Sequence, residues 1–247
     1  MTAYNIEASS GASATLGLIV LQVDETLERD VRRCLPDPDL AIYVSRVPSG
    51  EDLNPDTIAT MKTQLPAAAG LLPKAAAFDA VGYACTSGTT LIGAKRVAEL
   101  VQNGCQTPAV TDPLTAAIAA FRKLNVRSIG IVSPYIEAVA MPVQRAFEEA
   151  GIAVPVAVRF GEEKEANVAR IDPRSTADAA RDVAQVAGVE AVFLSCTNLR
   201  TLDVVPGLEA ELGCPVISSN LALCWHLVET ARAWQPAAGC GCLFEPA

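Results

Sequence analysis

Along the chain, short uninterrupted apolar runs alternate with longer stretches in which apolar residues recur every three or four positions. The short runs LGLIVLQ, LAIYVSRV, DAVGYAC, PAVTDP, SIGIVSPY, VPVAVRF, EAVFLSC and PVISSN predict strands buried on both faces, the form taken in parallel sheets. Between them, TIATMKTQLPAAAGLL, GAKRVAELVQN, LTAAIAAFRKLN, PVQRAFEEAG, RSTADAARDVAQVAG and VPGLEAELG carry helical periodicity, several starting near Pro, Ser or Thr and stopping at Gly or Asn. Strand-helix alternation of this kind predicts an α/β fold.

The strands fall into two sets that answer one another in order. FDAVGYACTSGTT and VEAVFLSCTNLRT agree at Ala80/Ala191, Val81/Val192, Cys85/Cys196, Thr86/Thr197 and Thr90/Thr201, and Cys105 of the first half answers Cys214 of the second at a near-constant offset. This pattern predicts a duplicated unit: two Rossmann-like lobes, each with a mainly parallel four-stranded sheet flanked by helices. The expected division is a tail over 1–15, lobes over 16–120 and 121–230, and a C-terminal segment over 231–247.

Composition narrows the class. With 51% hydrophobic residues, a formal net charge of −9 and no basic cluster, the chain is unsuited to nucleic acid. No apolar run reaches the roughly 18 residues of a membrane span, and MTAYNIEASSGASAT has no charged leader or apolar core, so a cytoplasmic location is expected. The eight cysteines form no CxxC pair and have a single histidine, His226, to join them in a metal site, so free thiols and no metal are expected. Cys34, Cys105, Cys214 and Cys224 read as small buried hydrophobes, and Cys240 and Cys242 as packing residues. GxGxxG and GxxxxGKS motifs are missing, and no PLP lysine signature is recognisable, so no cofactor is expected. The apolar face of LTAAIAAF leaves room for a homo-oligomer.

Cys85 and Cys196 stand apart because each follows a strand and precedes hydroxyl or amide residues at a turn into a helix. Ligands of open parallel sheets bind beyond such strand ends. Two thiols facing one cleft from opposite sides could remove a proton from the carbon beside a carboxylate and return one to the other face. The helix N-terminus is expected to expose each thiol and lower its pKa below the free value of about 8.5. CTSGTT and CTN supply donors for the developing carboxylate charge: Thr86, Ser87, Thr89, Thr90, Thr197, Asn198 and backbone N–H groups freed by Gly88.

GYACTSGTT, SPYIEAV and LSCTNLRTLDVVPGLEAELGCPVISSN resemble the aspartate/glutamate racemase superfamily, in particular its branch holding maleate isomerase, arylmalonate decarboxylase and ectoine-utilization proteins of the EutA type. The resemblance implies pseudo-twofold lobes with the active site between them, catalytic roles for Cys85 and Cys196, and carboxylate binding by Thr86, Ser87, Tyr135, Thr197 and Asn198. The decarboxylase branch keeps only the second cysteine, so retention of both points away from that activity. In VLQVDETLE, Asp24 stands near where maleate isomerases tend to carry Asn, which suits a substrate ammonium better than a second carboxylate; Asp24 as a helix cap is the equal alternative. VDETLE, PSG, CTSGTT and CTNLRT look closest to the ectoine-utilization group.

The expected function is therefore cofactor-independent racemisation or isomerisation of a small amino acid or related carboxylate. The alternatives are cis–trans isomerisation by Cys85 addition, decarboxylation using Cys196, and a two-lobed protein that binds a carboxylate without turnover. Thiols at or above the free value would favour that last reading. Gln22, Thr111, Asp112 and Asn220 are weaker pocket candidates at other strand ends, and His226 is read as structural.

Overall fold

The computed structural model describes residues 2–6, 11–52 and 54–245. The first half comprises β1 (Ala14–Leu21), α1 (Leu27–Cys34), β2 (Leu40–Val47), α2 (Pro55–Ala69), β3 (Ala80–Ala84), α3 (Thr86–Ile92), α4 (Ala94–Gly104), β4 (Val110–Thr111) and α5 (Pro113–Lys123). The second half comprises β5 (Ser128–Tyr135), α6 (Glu137–Glu149), β6 (Ala153–Glu162), α7 (Glu165–Val168), α8 (Pro173–Ala184), β7 (Ala191–Leu194), α9 (Val205–Leu212), β8 (Val216–Ser218) and α10 (Ser219–Thr230), followed by a 3₁₀ turn over Cys242–Phe244. β1 begins inside the span expected as a tail, of which residues 1 and 7–10 lie outside the described residues, as do 246–247 of the C-terminal segment.

All eight expected strands form, in two four-stranded sheets of matching order, β2-β1-β3-β4 and β6-β5-β7-β8. Every strand pairing is parallel. The inner strands β3 and β7 are buried at every position, whereas the edge strands β2 and β6 alternate with exposed residues. Helices cover the faces, which is why the inner strands read as continuous apolar runs.

Helix starts follow side-chain caps. Asn54 and Asp112 accept N–H groups of the first turns of α2 and α5, each with Pro at its first position. α6 starts at Glu137, before the expected Pro142, which lies inside the helix. The short polar α1 buries Leu27, Asp30, Val31 and Cys34, a single face. In α10 nine of twelve residues are buried, so it shows little amphipathic period.

Two helices lock the lobes by crossing over. α5 ends the first half, yet its Phe121 packs edge-on against Phe147 of α6 and Phe193 of β7, with ring centroids 6.1 Å away in each case. α10 ends the second half, yet Leu223 and Leu227 lie over β3 at Gly82, where an added methyl would come within 3.2 and 3.3 Å of their methyl carbons. The apolar face of LTAAIAAF, expected to be available for an oligomer, is largely occupied here: Leu114, Ala116, Ala117, Ala120 and Phe121 are buried within the chain. Among the described residues, no helix is long and apolar enough to cross a membrane.

Phe121 is fully buried, so Phe121→Ala should cost about 3–5 kcal/mol. Urea unfolding should show this loss as a single shifted transition, because the residue joins one half of the chain to the other.

Candidate active site

In each sheet the chain runs from its second-placed strand outward to the edge and then returns to the other side, so the order reverses between β1 and β3 and between β5 and β7. The carboxyl ends at such switch points are where open α/β sheets bind ligands. Asp24 and Cys85 follow β1 and β3; Tyr135 ends β5 and Cys196 follows β7. The duplicated topology thus delivers a polar side chain and a cysteine from each lobe.

Cys85 is the N-cap of α3, and its Sγ accepts the Gly88 N–H at 3.1 Å and lies 3.6 Å from Ser87 Oγ. Gly88 is needed for that approach, since a methyl there would lie 2.9 Å from the sulfur and 2.5 Å from the Tyr83 hydroxyl. Cys196 sits at φ +114°, a backbone conformation that L-residues rarely adopt and that costs about 1–3 kcal/mol. The Tyr135 hydroxyl and the Asn198 backbone N–H both favour its thiolate.

The turns carrying the two cysteines are bonded crosswise. Thr86 Oγ1 and Ser219 Oγ are 2.8 Å apart, Ser219 Oγ accepts the Cys196 N–H at 3.0 Å, and Thr197 Oγ1 donates to the Ala84 carbonyl at 3.3 Å. Tyr135 feels the charge of both thiols, and Glu165 acts on both as well. The two sulfurs therefore share one electrostatic neighbourhood between the lobes.

The expectation of exposed, acidified thiols is overturned. Cys85 and Cys196 are only 3% and 6% exposed. Burial pushes the Cys85 thiol up to about 11, against the opposing effects of Ser87, the Gly88 N–H and Tyr83. Burial also drives Cys196 well above the usual thiol range, and the Glu165 carboxylate pushes it the same way. The helix-end donors exist as expected, but closure of the lobes outweighs them.

Asp24 Oδ1 accepts the N–H groups of Thr26 and Leu27 at 2.8 and 2.9 Å, shaping the entry to α1, while its Oδ2 is buried without a hydrogen-bond partner. The side chain thus serves the turn with one oxygen only. Thr86, Thr197 and Asn198 lie beside the two cysteines, and their side chains are engaged in internal bonds. Asn198 Oδ1 accepts the Glu25 N–H at 2.9 Å, and its Nδ2 donates to Glu165 Oε1 at 3.1 Å. Tyr135 is fully buried, its hydroxyl held well above the ordinary range by burial.

Several contributors were not singled out from sequence. Glu165, on the single-turn α7, is 3% exposed, and burial raises its carboxyl to about 7. Its exposed-looking context, GEEKEAN, gives no hint of this. Tyr83 and Ser219 were also passed over, although both adjoin strand ends. Of the weaker candidates, Asn220 donates to Asp30 at 2.7 Å and to the Thr197 carbonyl at 2.9 Å, Asp112 caps α5, Thr111 bonds His226 Nδ1 at 2.6 Å, and Gln22 is exposed. Among the other cysteines, Cys105 and Cys214 are half-buried and not core residues, whereas Cys34 and Cys240 place their sulfurs 3.1 Å apart.

The two parallel four-stranded sheets of matching order, flanked by helices, make this an α/β protein of two matching halves, each with a cysteine beyond an inner strand. A family profile described as Arylmalonate decarboxylase matches residues 52–244, and the chain belongs to that family. Arylmalonate decarboxylase of Bordetella bronchiseptica is 32% identical over 134 residues, a stretch covering 53% of this chain and only 55% of that protein. Maleate isomerase of Geobacillus stearothermophilus is 24% identical over 172 residues, covering 65% of this chain and 68% of the relative. Among solved structures, a liganded arylmalonate decarboxylase mutant superposes with a TM-score of 0.85 at 25% identity, covering 95% of this chain and all of the other. A maleate cis–trans isomerase mutant of Nocardia farcinica, carrying a covalently bound succinylcysteine intermediate, shares the fold with a TM-score of 0.85 at 22% identity, covering 94% and 98% of the two chains.

With Cys85 held at about 11, its alkylation by iodoacetamide should accelerate about tenfold per pH unit from pH 7 to pH 10. Peptide mass spectrometry reads this directly; a plateau near pH 8 would show an acidified thiol instead.

Proposed function

We propose that the chain is a cofactor-independent isomerase of the racemase type, acting at the carbon beside the carboxylate of a small amino acid or related acid. The observation that carries this reading is the pair of buried cysteines, one per lobe, tied through Ser219 and acted on by the same Tyr135 and Glu165. One thiolate removes the α-proton, the opposite thiol delivers another, and the roles exchange for the other enantiomer. The substrate carboxylate gains charge as the proton leaves. Backbone N–H groups at the start of α3 and in the Cys-Thr-Asn turn, with the Tyr135 hydroxyl, are the donors for that charge. Each such donor is worth about 100- to 1000-fold in rate.

At pH 8 a thiol held near 11 is ionised in about one molecule in a thousand. Catalysis by this route therefore requires that substrate binding lower the thiol pKa. Raised thiols in the ligand-free cleft favour a passive carboxylate binder, and solvent exchange separates the two. Cys85→Ala and Cys196→Ala should each abolish racemisation and reduce α-deuterium exchange in D₂O by at least about 1000-fold, with unchanged circular dichroism. Full activity in both variants would remove the reading.

A second reading keeps Cys85 as a nucleophile. Its thiolate would add to an activated double bond, allow rotation about the resulting single bond, and be expelled as the double bond reforms. Cys85 is the less strongly raised of the two thiols, and the Gly88 N–H contacts its sulfur. Incubation with maleate followed by intact-protein mass spectrometry should then show one adduct on Cys85, lost in Cys85→Ser. Decarboxylation with Cys196 as proton donor, which the family name brings to mind, would leave Cys85 without a task.

A further inference from the structure

We propose that Asp24 and Glu165 form a paired carboxylate site that receives the α-ammonium group of the substrate, which makes the substrate an amino acid and not a simple carboxylic acid. The assignment deepens the proposed function and rests on it for the identity of the reacting carbon.

Asn198 draws the two carboxylates to one place. Its Oδ1 holds the backbone N–H of Glu25, the residue after Asp24, and its Nδ2 holds both the carbonyl and the Oε1 of Glu165, at 3.2 and 3.1 Å. Asp24 is 2% exposed, and its Oδ2 has no hydrogen-bond partner of good geometry, because the nearby Thr197 hydroxyl, which favours its ionised form, donates to the Ala84 carbonyl. Among the described residues, no salt bridge reaches either carboxylate. Arg46, the cation that acts on Asp24, donates to the carbonyls of Leu21, Gln22 and Asp24 and pairs with Glu28; Lys164 turns outward to Asp52, and Arg170 to Glu25.

Two buried carboxylates without a salt-bridge partner oppose folding, with Arg46 easing the cost at Asp24 only from a distance, and Glu165 also opposes ionisation of the neighbouring thiols. Neither is required by the local structure: a glutamine at 165 could still accept the Asn198 N–H, and an asparagine at 24 could still accept those of Thr26 and Leu27. What the carboxylates add is negative charge in a dry cleft. A bound ammonium would neutralise it, and in doing so would remove the carboxylate contribution that, beside the larger effect of burial, holds Cys85 and Cys196 in their thiol forms. Substrate binding and thiol ionisation are then one electrostatic event.

Titration calorimetry on the full chain tests this, using glycine and both enantiomers of the eighteen chiral standard amino acids other than proline, each against the acid of the same skeleton bearing hydrogen in place of the amino group. At least one amino acid should bind about tenfold or more tighter than its deaminated partner, and Glu165→Gln and Asp24→Asn should each erase that preference. Glu165→Gln should also speed alkylation of Cys85 at pH 8 several-fold while impairing amino-acid binding, a pairing that a merely structural role would not produce.

Stability gives a further arm. The groups facing Glu165 are Asp24 and Asn198 on the neighbouring loops, Cys85, Cys196 and Tyr135 at the strand ends, with Lys164 beside it turned away. A carboxyl raised from 4.5 to about 7 contributes stability in its neutral form, which is lost as pH climbs through that interval. Glu165→Gln should therefore melt higher than wild type by about 5 °C at pH 8, with a smaller gap at pH 5. Equal binding of amino acids and deaminated acids, binding of neither, or an amine preference that survives in Glu165→Gln would overturn the proposal. An amine preference without α-deuterium exchange would leave the ammonium site standing and remove the proposed chemistry instead.

Discussion

The site depends on a crosswise set of hydrogen bonds between two turns that belong to different lobes. Ser219 Oγ hydrogen-bonds the Thr86 hydroxyl on one side and accepts the Cys196 N–H on the other, and Thr197 reaches back to the carbonyl of Ala84. Each bond is worth only about 1 kcal/mol net, too little to hold two lobes together. Their effect is positional: they fix the relative height of the two strand ends that carry the cysteines. The energy of association comes from α5 and α10, which carry apolar surface from each half onto the other. Ser219 belongs to α10, so the helix that binds the lobes also delivers the group that aligns the cysteines.

Burial sets the chemistry of what is aligned. Closure raises the thiols, the carboxylates of Asp24 and Glu165, and the hydroxyls of Tyr83 and Tyr135 together. In such a cleft no acid ionises readily without a charge brought in from outside. The strained backbone of Cys196 fits this picture, because a residue at φ +114° is retained only where its surroundings over-determine it. Here its N–H is held by Ser219 and the next residue, Thr197, by Ala84 and Asn220.

Much of the fold was legible because parallel strands buried on both faces leave an unbroken apolar signature, and because duplication shows each signal twice. Cys85, Cys196 and their flanking Thr residues were legible for the same reason. Glu165 was not: it lies on a single turn of helix in a charged stretch, and its hydrogen-bond partner Asn198 follows β7, 33 residues away in sequence. The crossing of α5 and α10 was hidden too, since periodicity reports that a helix has an apolar face and not which sheet that face covers. The thiol pKa values were not legible because a local motif contains the stabilising N–H groups, whereas burial depends on packing that the motif does not show.

The same asymmetry between local and distant causes bears on how specificity could diverge within this family. The Cys-Thr turns are held by bonds to each other and to Ser219, so few substitutions there are compatible with a working pair. Asp24 and Glu165 have no such obligation: an amide fits the hydrogen bonds of either position, and changing acid to amide alters the charge of the cleft by a full unit without moving the backbone. Charge in a low-dielectric site acts at full strength over several ångströms. A fixed two-cysteine frame with exchangeable charge at these two positions would let one fold turn from substrates carrying two carboxylates to substrates carrying a carboxylate and an amine.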